Sequence, residues 1–388
     1  MSNPLAVVAG PIAGKLHRGG EAWVRLNWAL GLRELGFEVR VIELLQSGAP
    51  EEAQTYFHDV LLAFDLSGVL VVGDRNSSEA AALAELVASA DLLVNMSGHL
   101  SLAALNAMPR RAIYVDVDPG YTQCWAAQGL DVGLAGHDLY ATVGLAVGSP
   151  RCALPTAGIP WIPVAPPVVL AEWPVLPRPS ASRFTTVAAW RGGYGRLEHG
   201  GVLYGQKAHE FRKLIDLPRR SPHVFEIALG IDAADAGDRR ALLDAGWRLA
   251  DPLAAAATPD AYRRYIQDST AELSVAQGVY IDSRCGWLSD RTALYLASGR
   301  PAIVQETGVG DVLPVGEGLV TFRTVDEAVA ISDAVMAEYD RHARAARSFA
   351  EQHLDANLVL ARLLDRIEPR ATTPGGKPVD LLTPAVSG

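Results

Sequence analysis

Short uncharged apolar runs alternate along the chain with longer stretches whose apolar residues recur every three or four positions. Residues 5–9 form the first run. Residues 21–35 follow, with Trp23, Leu26 and Leu30 on one face and Gly36 just beyond. The run predicts a buried parallel strand, the periodic stretch predicts an amphipathic helix, and Gly36 stands where helices end. With a strand over 37–44 this is a βαβ unit. Strands over 69–72, 91–95, 112–115 and 139–143, with a helix over 78–88, continue the pattern. Eight prolines between residues 151 and 179 then interrupt it, a density that defeats helix and central strand alike. Alternation restarts with strands over 184–190, 223–229, 272–275 and 301–305 and helices over 206–215, 238–245 and 289–297. Two long helical patterns close it, over 325–339 and 343–367. The class expected is α/β, two Rossmann-like doubly wound domains. Their bounds are 1–165 and 181–340, with a Pro-rich linker over 166–180. A final helix over 341–368 precedes a Pro/Gly/Thr-rich tail, 369–388, expected to be disordered.

Composition narrows the function classes. The 388 residues are 49% hydrophobic and 20% charged, enough for a sizeable core in each of two domains. The net charge of −10, with a pI near 5.4, argues against affinity resting on phosphate neutralisation. Nucleic acid is therefore not expected as a partner, although a local basic pocket for a small phosphate ligand is compatible. Cys124, Cys152 and Cys285 are far apart and form no Cys-x-x-Cys pair, which disfavours a disulfide framework or a cysteine zinc site and fits the cytoplasm. The first four residues lack a basic leader, and the longest uncharged stretch, 152–171, contains five prolines. No transmembrane segment is expected.

Five constellations could carry chemistry. His17-Arg18-Gly19-Gly20 opens the first helix, where paired glycines expose N–H groups to an anion, although a plain turn would use them too. The P-loop and dinucleotide spacings are absent, so neither an NTPase nor a nicotinamide enzyme is expected. Ser289-Asp290-Arg291-Thr292 follows Arg284-Cys285-Gly286-Trp287-Leu288. Ser289 is a natural N-cap, and Arg291 opposes the helix dipole, a conflict that a bound phosphate or a nearby carboxylate would resolve. Trp190-Arg191-Gly192-Gly193-Tyr194-Gly195 lies at a strand's carboxyl end with Lys207 beyond it. Glu306-Thr307-Gly308 offers acceptors and donors to sugar hydroxyls. His99, and Asp118 with Asp116, end two neighbouring strands. His17, His99 and Asp118 are the candidate bases, and a metal on the two aspartates is not expected for want of a third ligand. Trp125, Trp161, Trp190 and Tyr194 are candidates for stacking on a sugar or aglycone.

The order C-G-W-x-S, a helix, then G-x-P over residues 285–301 resembles the donor region of GT-B glycosyltransferases. The pattern from Gly19 to Val39 is similar to the opening of the same enzymes. The resemblance covers about residues 5–367. It implies two Rossmann-like domains facing a cleft, a last helix crossing back to the first domain, and a UDP-, dTDP- or GDP-sugar held mainly by the second. The acceptor, a hydroxyl on a small molecule or glycan, would lie on the first domain. It further implies that Arg191, Lys207, Gly19, Gly20, Ser289, Asp290, Arg291 and Thr292 serve the diphosphate. Tyr194, Arg284, Glu306, Thr307 and Gly308 would then serve the sugar and nucleoside, with no metal and no other cofactor. The paired glutamates of many retaining members are absent, since Leu294 and Gly286 occupy those places. Retention and inversion both stay open. The alternatives are a sugar-nucleotide epimerase of the same fold, a degenerate partner subunit, or a small-ligand binding protein.

Overall fold

The computed structural model describes residues 3–73 and 78–367, so the tail 369–388 lies outside the described residues. The first half runs β1 (Leu5–Ala9), α1 (Gly19–Glu34), β2 (Glu38–Leu45), α2 (Glu51–Ala63), β3 (Ser67–Val72), α3 (Ser78–Ser89), β4 (Leu92–Met96), α4 (Leu102–Leu105), β5 (Ala112–Asp116), α5 (Tyr121–Ala127), β6 (Leu139–Thr142) and β7 (Ile162–Pro163). Its strands make one parallel sheet in the order 3-2-1-4-5-6-7, with Val8 opposite Val41 on one side and Val94 on the other. The buried strands are nearly all apolar because helices cover both faces.

The second half runs β8 (Phe184–Ala189), β9 (Leu197–His199), β10 (Val202–Tyr204), α6 (Lys207–Lys213), β11 (Phe225–Gly230), α7 (Ala236–Asp244), β12 (Arg248–Ala250), α8 (Pro252–Ala256), α9 (Pro259–Gln267), β13 (Ala271–Ser274), α10 (Gly278–Ser283), α11 (Asp290–Ala297), β14 (Ala302–Gln305) and β15 (Leu319–Phe322). Three helices end it: α12 (Val325–Ala337), α13 (Tyr339–His353) and α14 (Ala356–Leu364). Its parallel sheet has the order 12-11-8-13-14-15, and β9 and β10 form a separate hairpin. In each sheet the strand order reverses beside the first strand. There the crevice at the carboxyl ends opens, and the two crevices face one another.

The Pro-rich stretch crosses between the sheets as a packed strap. Val168, Val169 and Trp173 are buried, and Val169 N–H donates to Asn27 Oδ1 at 3.0 Å. The helical pattern over 343–367 is two helices, α13 and α14. The break falls at Leu354-Asp355, where Asp355 caps α14 by accepting from Asn357 N–H. Val168 pairs there, its N–H on Leu354 O at 2.7 Å and its carbonyl on Ala356 N–H at 2.9 Å. Beyond the break α14 lies on α1 of the first half. Gly31 makes the room, since a Cβ there would come within 2.7 Å of Leu360 and 2.9 Å of Ala356. Among the described residues no helix is long and apolar enough to cross a membrane.

Candidate active site

The cleft between the sheets has a volume of about 750 Å³, within the range of small-ligand sites. The first half contributes the β1–α1 segment, with Lys15, His17, Arg18, Gly20, Glu21 and Arg25. It also contributes Ser97 and His99 after β4, and Asp118 after β5. The second half contributes Ala188 and Ala189, Tyr194, Lys207, Gly230, Tyr262, and Gln277 with Tyr280. Trp287, Ser289, Asp290 and Arg291 complete it.

Lys207 is the first residue of α6 and makes no hydrogen bond or ion pair among the described residues. Burial, with the Arg291 guanidinium nearby, pulls its ammonium down to about 7. Ser289 precedes α11 as its N-cap, yet its side chain makes no capping bond, so the start of that helix is left open in the cleft wall. Asp290 stands beside it. Burial and the neighbouring Glu21 push its carboxyl up to about 6.

Arg291 is a correction. It lines the cleft, but its Nε donates to Glu272 Oε1 at 2.6 Å, Nη1 to Val187 O at 2.7 Å and Nη2 to Ser274 Oγ at 2.9 Å. Glu272 is fully buried in β13. The conflict with the helix dipole is thus resolved by a carboxylate rather than by a phosphate, and stranding either partner costs on the order of 3–5 kcal/mol. Thr292 is buried inside α11 and does not line the cleft.

Five further expected residues have structural duties. Arg191 turns away, with Nε and Nη2 on Asp235 at 2.7 and 2.5 Å. Arg284 binds Asp311, which also takes Arg151. Glu306 accepts from Gly308 N–H at 2.6 Å, and Thr307 donates its hydroxyl to Trp287 O at 2.7 Å. This stitches the loop before α11, where a Cβ on Gly308 would meet Arg284 O at 2.7 Å. None of Arg191, Arg284, Glu306, Thr307 and Gly308 lines the cleft.

The glycines at the start of α1 also act differently. A Cβ on Gly19 would sit 2.1 Å from Thr258 O, and one on Gly20 would sit 2.8 Å from the Tyr262 ring. They permit close approach of α1 to α9, sealed by Trp23 Nε1 donating to Pro259 O at 2.8 Å. The loop amides before them are also occupied. Ile12, Ala13 and Gly14 N–H groups all donate to the buried Glu43 carboxylate at 2.7–2.8 Å. Gly286 has a similar role, since its Cβ would meet Ala146 N at 2.7 Å. The C-G-W segment is therefore a joint between halves, and Trp287, stacked on Tyr280 at 4.4 Å, walls the cleft.

Of the candidate bases, His17 is tied to Glu52 at 2.9 Å on the cleft rim. His99 Nε2 accepts from Leu44 N–H at 3.2 Å, and burial with Arg25 nearby takes its imidazole down to about 4, so it is neutral and a weak base. Asp118 is different. Burial, with Glu21 and Asp116 close by, raises its carboxyl to about 6. A directional chain of donors ends on it: Tyr121 OH to Gln277 Oε1 (3.1 Å), Gln277 Nε2 to Tyr280 OH (3.2 Å), Tyr280 OH to Asp118 Oδ1 (3.0 Å). Asp116 does not face the cleft. It is fully buried and accepts from Thr122, Gln123 and Thr142, each at 2.7 Å. Of the four aromatics, Tyr194 alone lines the cleft. Trp125 packs on it edge-to-face at 4.9 Å, while Trp161 and Trp190 are core residues.

Two facing Rossmann-like domains with a returning C-terminal helix define the GT-B fold, and solved structures of that fold superpose on more than nine tenths of the chain. An alpha-glucosyltransferase in complex with UDP and a 13-mer DNA matches with a TM-score of 0.60 at 12% identity, covering 94% of this chain and 100% of that one. Anabaena HepE in complex with UDP and glucose matches with a TM-score of 0.57 at 12% identity, covering 93% and 99%. No family model and no curated protein sequence matches. At such identities the likeness is one of fold. It nevertheless corrects the exclusion of nucleic acid as a partner, because a protein of this fold is held with DNA. The charge that matters is local, and this cleft gathers Lys15, Arg18, Arg25 and Lys207 in a chain whose net charge is −10.

Proposed function

We propose that the chain is a glycosyltransferase that moves a sugar from a nucleoside-diphosphate sugar, with UDP as the expected nucleotide, to a hydroxyl acceptor. The observation that carries this is Lys207. It is a cation without a hydrogen-bonded carboxylate partner, depressed by burial, and it lines the same cleft as the uncapped start of α11. Such a pairing suits a diphosphate, whose charge would restore the ammonium and meet the helix dipole and the Ser289 hydroxyl. UDP is favoured over dTDP and GDP because the neighbouring folds named above hold UDP. The three free thiols fit a cytoplasmic enzyme.

In the reaction the acceptor oxygen forms a bond to the anomeric carbon while the bond from that carbon to the diphosphate oxygen breaks. The electron pair leaves with the nucleoside diphosphate. Lys207, with the start of α11, stabilises that developing charge. Asp118, raised to about 6 and held by Tyr280, is ionised at neutral pH and takes the proton of the incoming hydroxyl. The cleft supplies the alignment of the two substrates.

Thermal unfolding with UDP, dTDP, GDP, ADP and CDP tests the reading. A true ligand at about 100 times its Kd adds roughly 2.7 kcal/mol of stability. A shift with UDP that Lys207→Met weakens at least tenfold in Kd is expected. No shift with any nucleotide would overturn the proposal.

A further inference from the structure

With the donor diphosphate assigned to the second half, the first half of the cleft carries positive charge that the reaction as described does not use. Lys15 and Arg18 line the cleft and make no ion pair among the described residues. Arg25, two turns into α1, is 4% exposed. Its Nη1 is spent on the carbonyl and carboxylate of Glu21 at 2.9 and 2.6 Å, while its Nε is buried without a partner. Gly10 makes the space for this side chain, since a Cβ there would press within 3.2 Å of Nε. Glu21 is the one carboxylate that the segment from Pro11 to Arg25 presents to the cleft. Burial opposes its ionisation, but Arg25, Lys15 and Arg18 together hold it below the usual carboxylate range.

The loop amides at residues 12–14 are consumed by Glu43, while Arg18, the N-cap of α1, makes no side-chain capping bond at the helix start. An anion in this half would meet the three cationic side chains, with the uncapped start of α1 beside them. A buried guanidinium nitrogen without an acceptor costs free energy; a neutral hydroxyl could accept from it but brings no charge to the cations beside it. An anion offers oxygen acceptors to that nitrogen and charge to the two free cations together.

We infer that the acceptor carries an anionic group of the phosphate class close to the hydroxyl that is glycosylated, and that Lys15, Arg18 and Arg25 hold that group. This rests on the reading of the cleft as a glycosyl-transfer site. The group is a phosphate monoester on a small hydroxyl compound or a phosphodiester in a strand. The cleft recognises the same oxygens in either case.

The test is calorimetric titration of the full chain saturated with UDP, using glucose 6-phosphate, glucose and a thymidine decamer. Glucose 6-phosphate is expected to bind at least tenfold more tightly than glucose. The double variant Lys15→Ala/Arg18→Ala, which changes two side chains that make no hydrogen bond or ion pair among the described residues, is expected to abolish that preference while leaving the UDP Kd within twofold. Tighter binding of the decamer, lost in the same variant, would support the inference and assign a phosphodiester as the source. Equal binding of glucose and glucose 6-phosphate with no binding of the decamer would overturn it. So would a tenfold loss of UDP affinity in the double variant, since the cations would then serve the donor. Failure of the unaltered chain to bind UDP would remove the donor reading itself, a result separate from these.

Discussion

Lys207 links the protonation of one side chain to the occupancy of the cleft. Unliganded, it titrates near 7, and a bound diphosphate favours its charged form. The complex therefore holds more protons than the free protein above pH 7, and UDP affinity is expected to fall as pH rises from 7 to 9, by at most tenfold per unit. Calorimetry across that range checks this, and Lys207→Met should flatten the slope. Tyr280 sets a second titration. Its hydroxyl bonds the ionised form of Asp118, so Tyr280→Phe removes a donor to the charged state and raises that pKa further above about 6. The acidic limb of kcat/KM is expected to move to higher pH, with activity at pH 8.5 kept within a few-fold. An unmoved limb would exclude Asp118 as the base. That Lys207, Ser289, Asp290 and Asp118 line the cleft was legible in the sequence because each stands at the end of a strand or the start of a helix. Arg25, Gln277 and Tyr280 were not, because a helical arginine or tyrosine reads as surface or core until its neighbours are known. Arg191, Arg284 and Arg291 show the converse. A cation in a loop or first turn signals an anion, but the partners Asp235, Asp311 and Glu272 lie 44, 27 and 19 residues away in the chain.

At the scale of elements, periodicity located most central strands and their helices to within a residue or two, because buried parallel strands are short and mostly apolar. The segments α2, α5, α9 and the β9–β10 hairpin escaped notice. The hairpin is a pair of three-residue strands with Leu203 54% exposed, too short and too polar on either side to show a period. The glycines of α1 illustrate a different limit. Gly19 and Gly20 were legible as special, but whether a glycine admits an anion or another backbone depends on what α9 brings against it. A Cβ at Gly19 meets backbone atoms of Thr258 that cannot rotate aside. Gly19→Ala is therefore expected to cost about 1–3 kcal/mol in urea unfolding. Unchanged stability accompanied by lost UDP binding would return the glycine to a phosphate-binding role.

For the molecule as a whole, the largest apolar cluster does not stop at the boundary between the sheets. It runs from Ala6 and Trp23 through Trp173 to Ala293 and Ala302, and on to Leu360 in the returning helix. Halves that share a core lose it together, so a single cooperative transition is expected in calorimetry and in urea followed by tryptophan fluorescence. Two separated transitions would show that the cleft walls are independent. The helix laid across α1 has a further consequence, for the order in which the protein comes into being. The first sheet is complete once Pro163 has left the ribosome, but the face of α1 around Gly31 waits for residues 356–364, about two hundred positions later. At translation rates of roughly 5–20 residues per second the newborn first half spends on the order of ten to forty seconds with that apolar stripe bare. Through that interval it is a natural client for a chaperone, and α14, the last helix among the described residues, is the one that releases it.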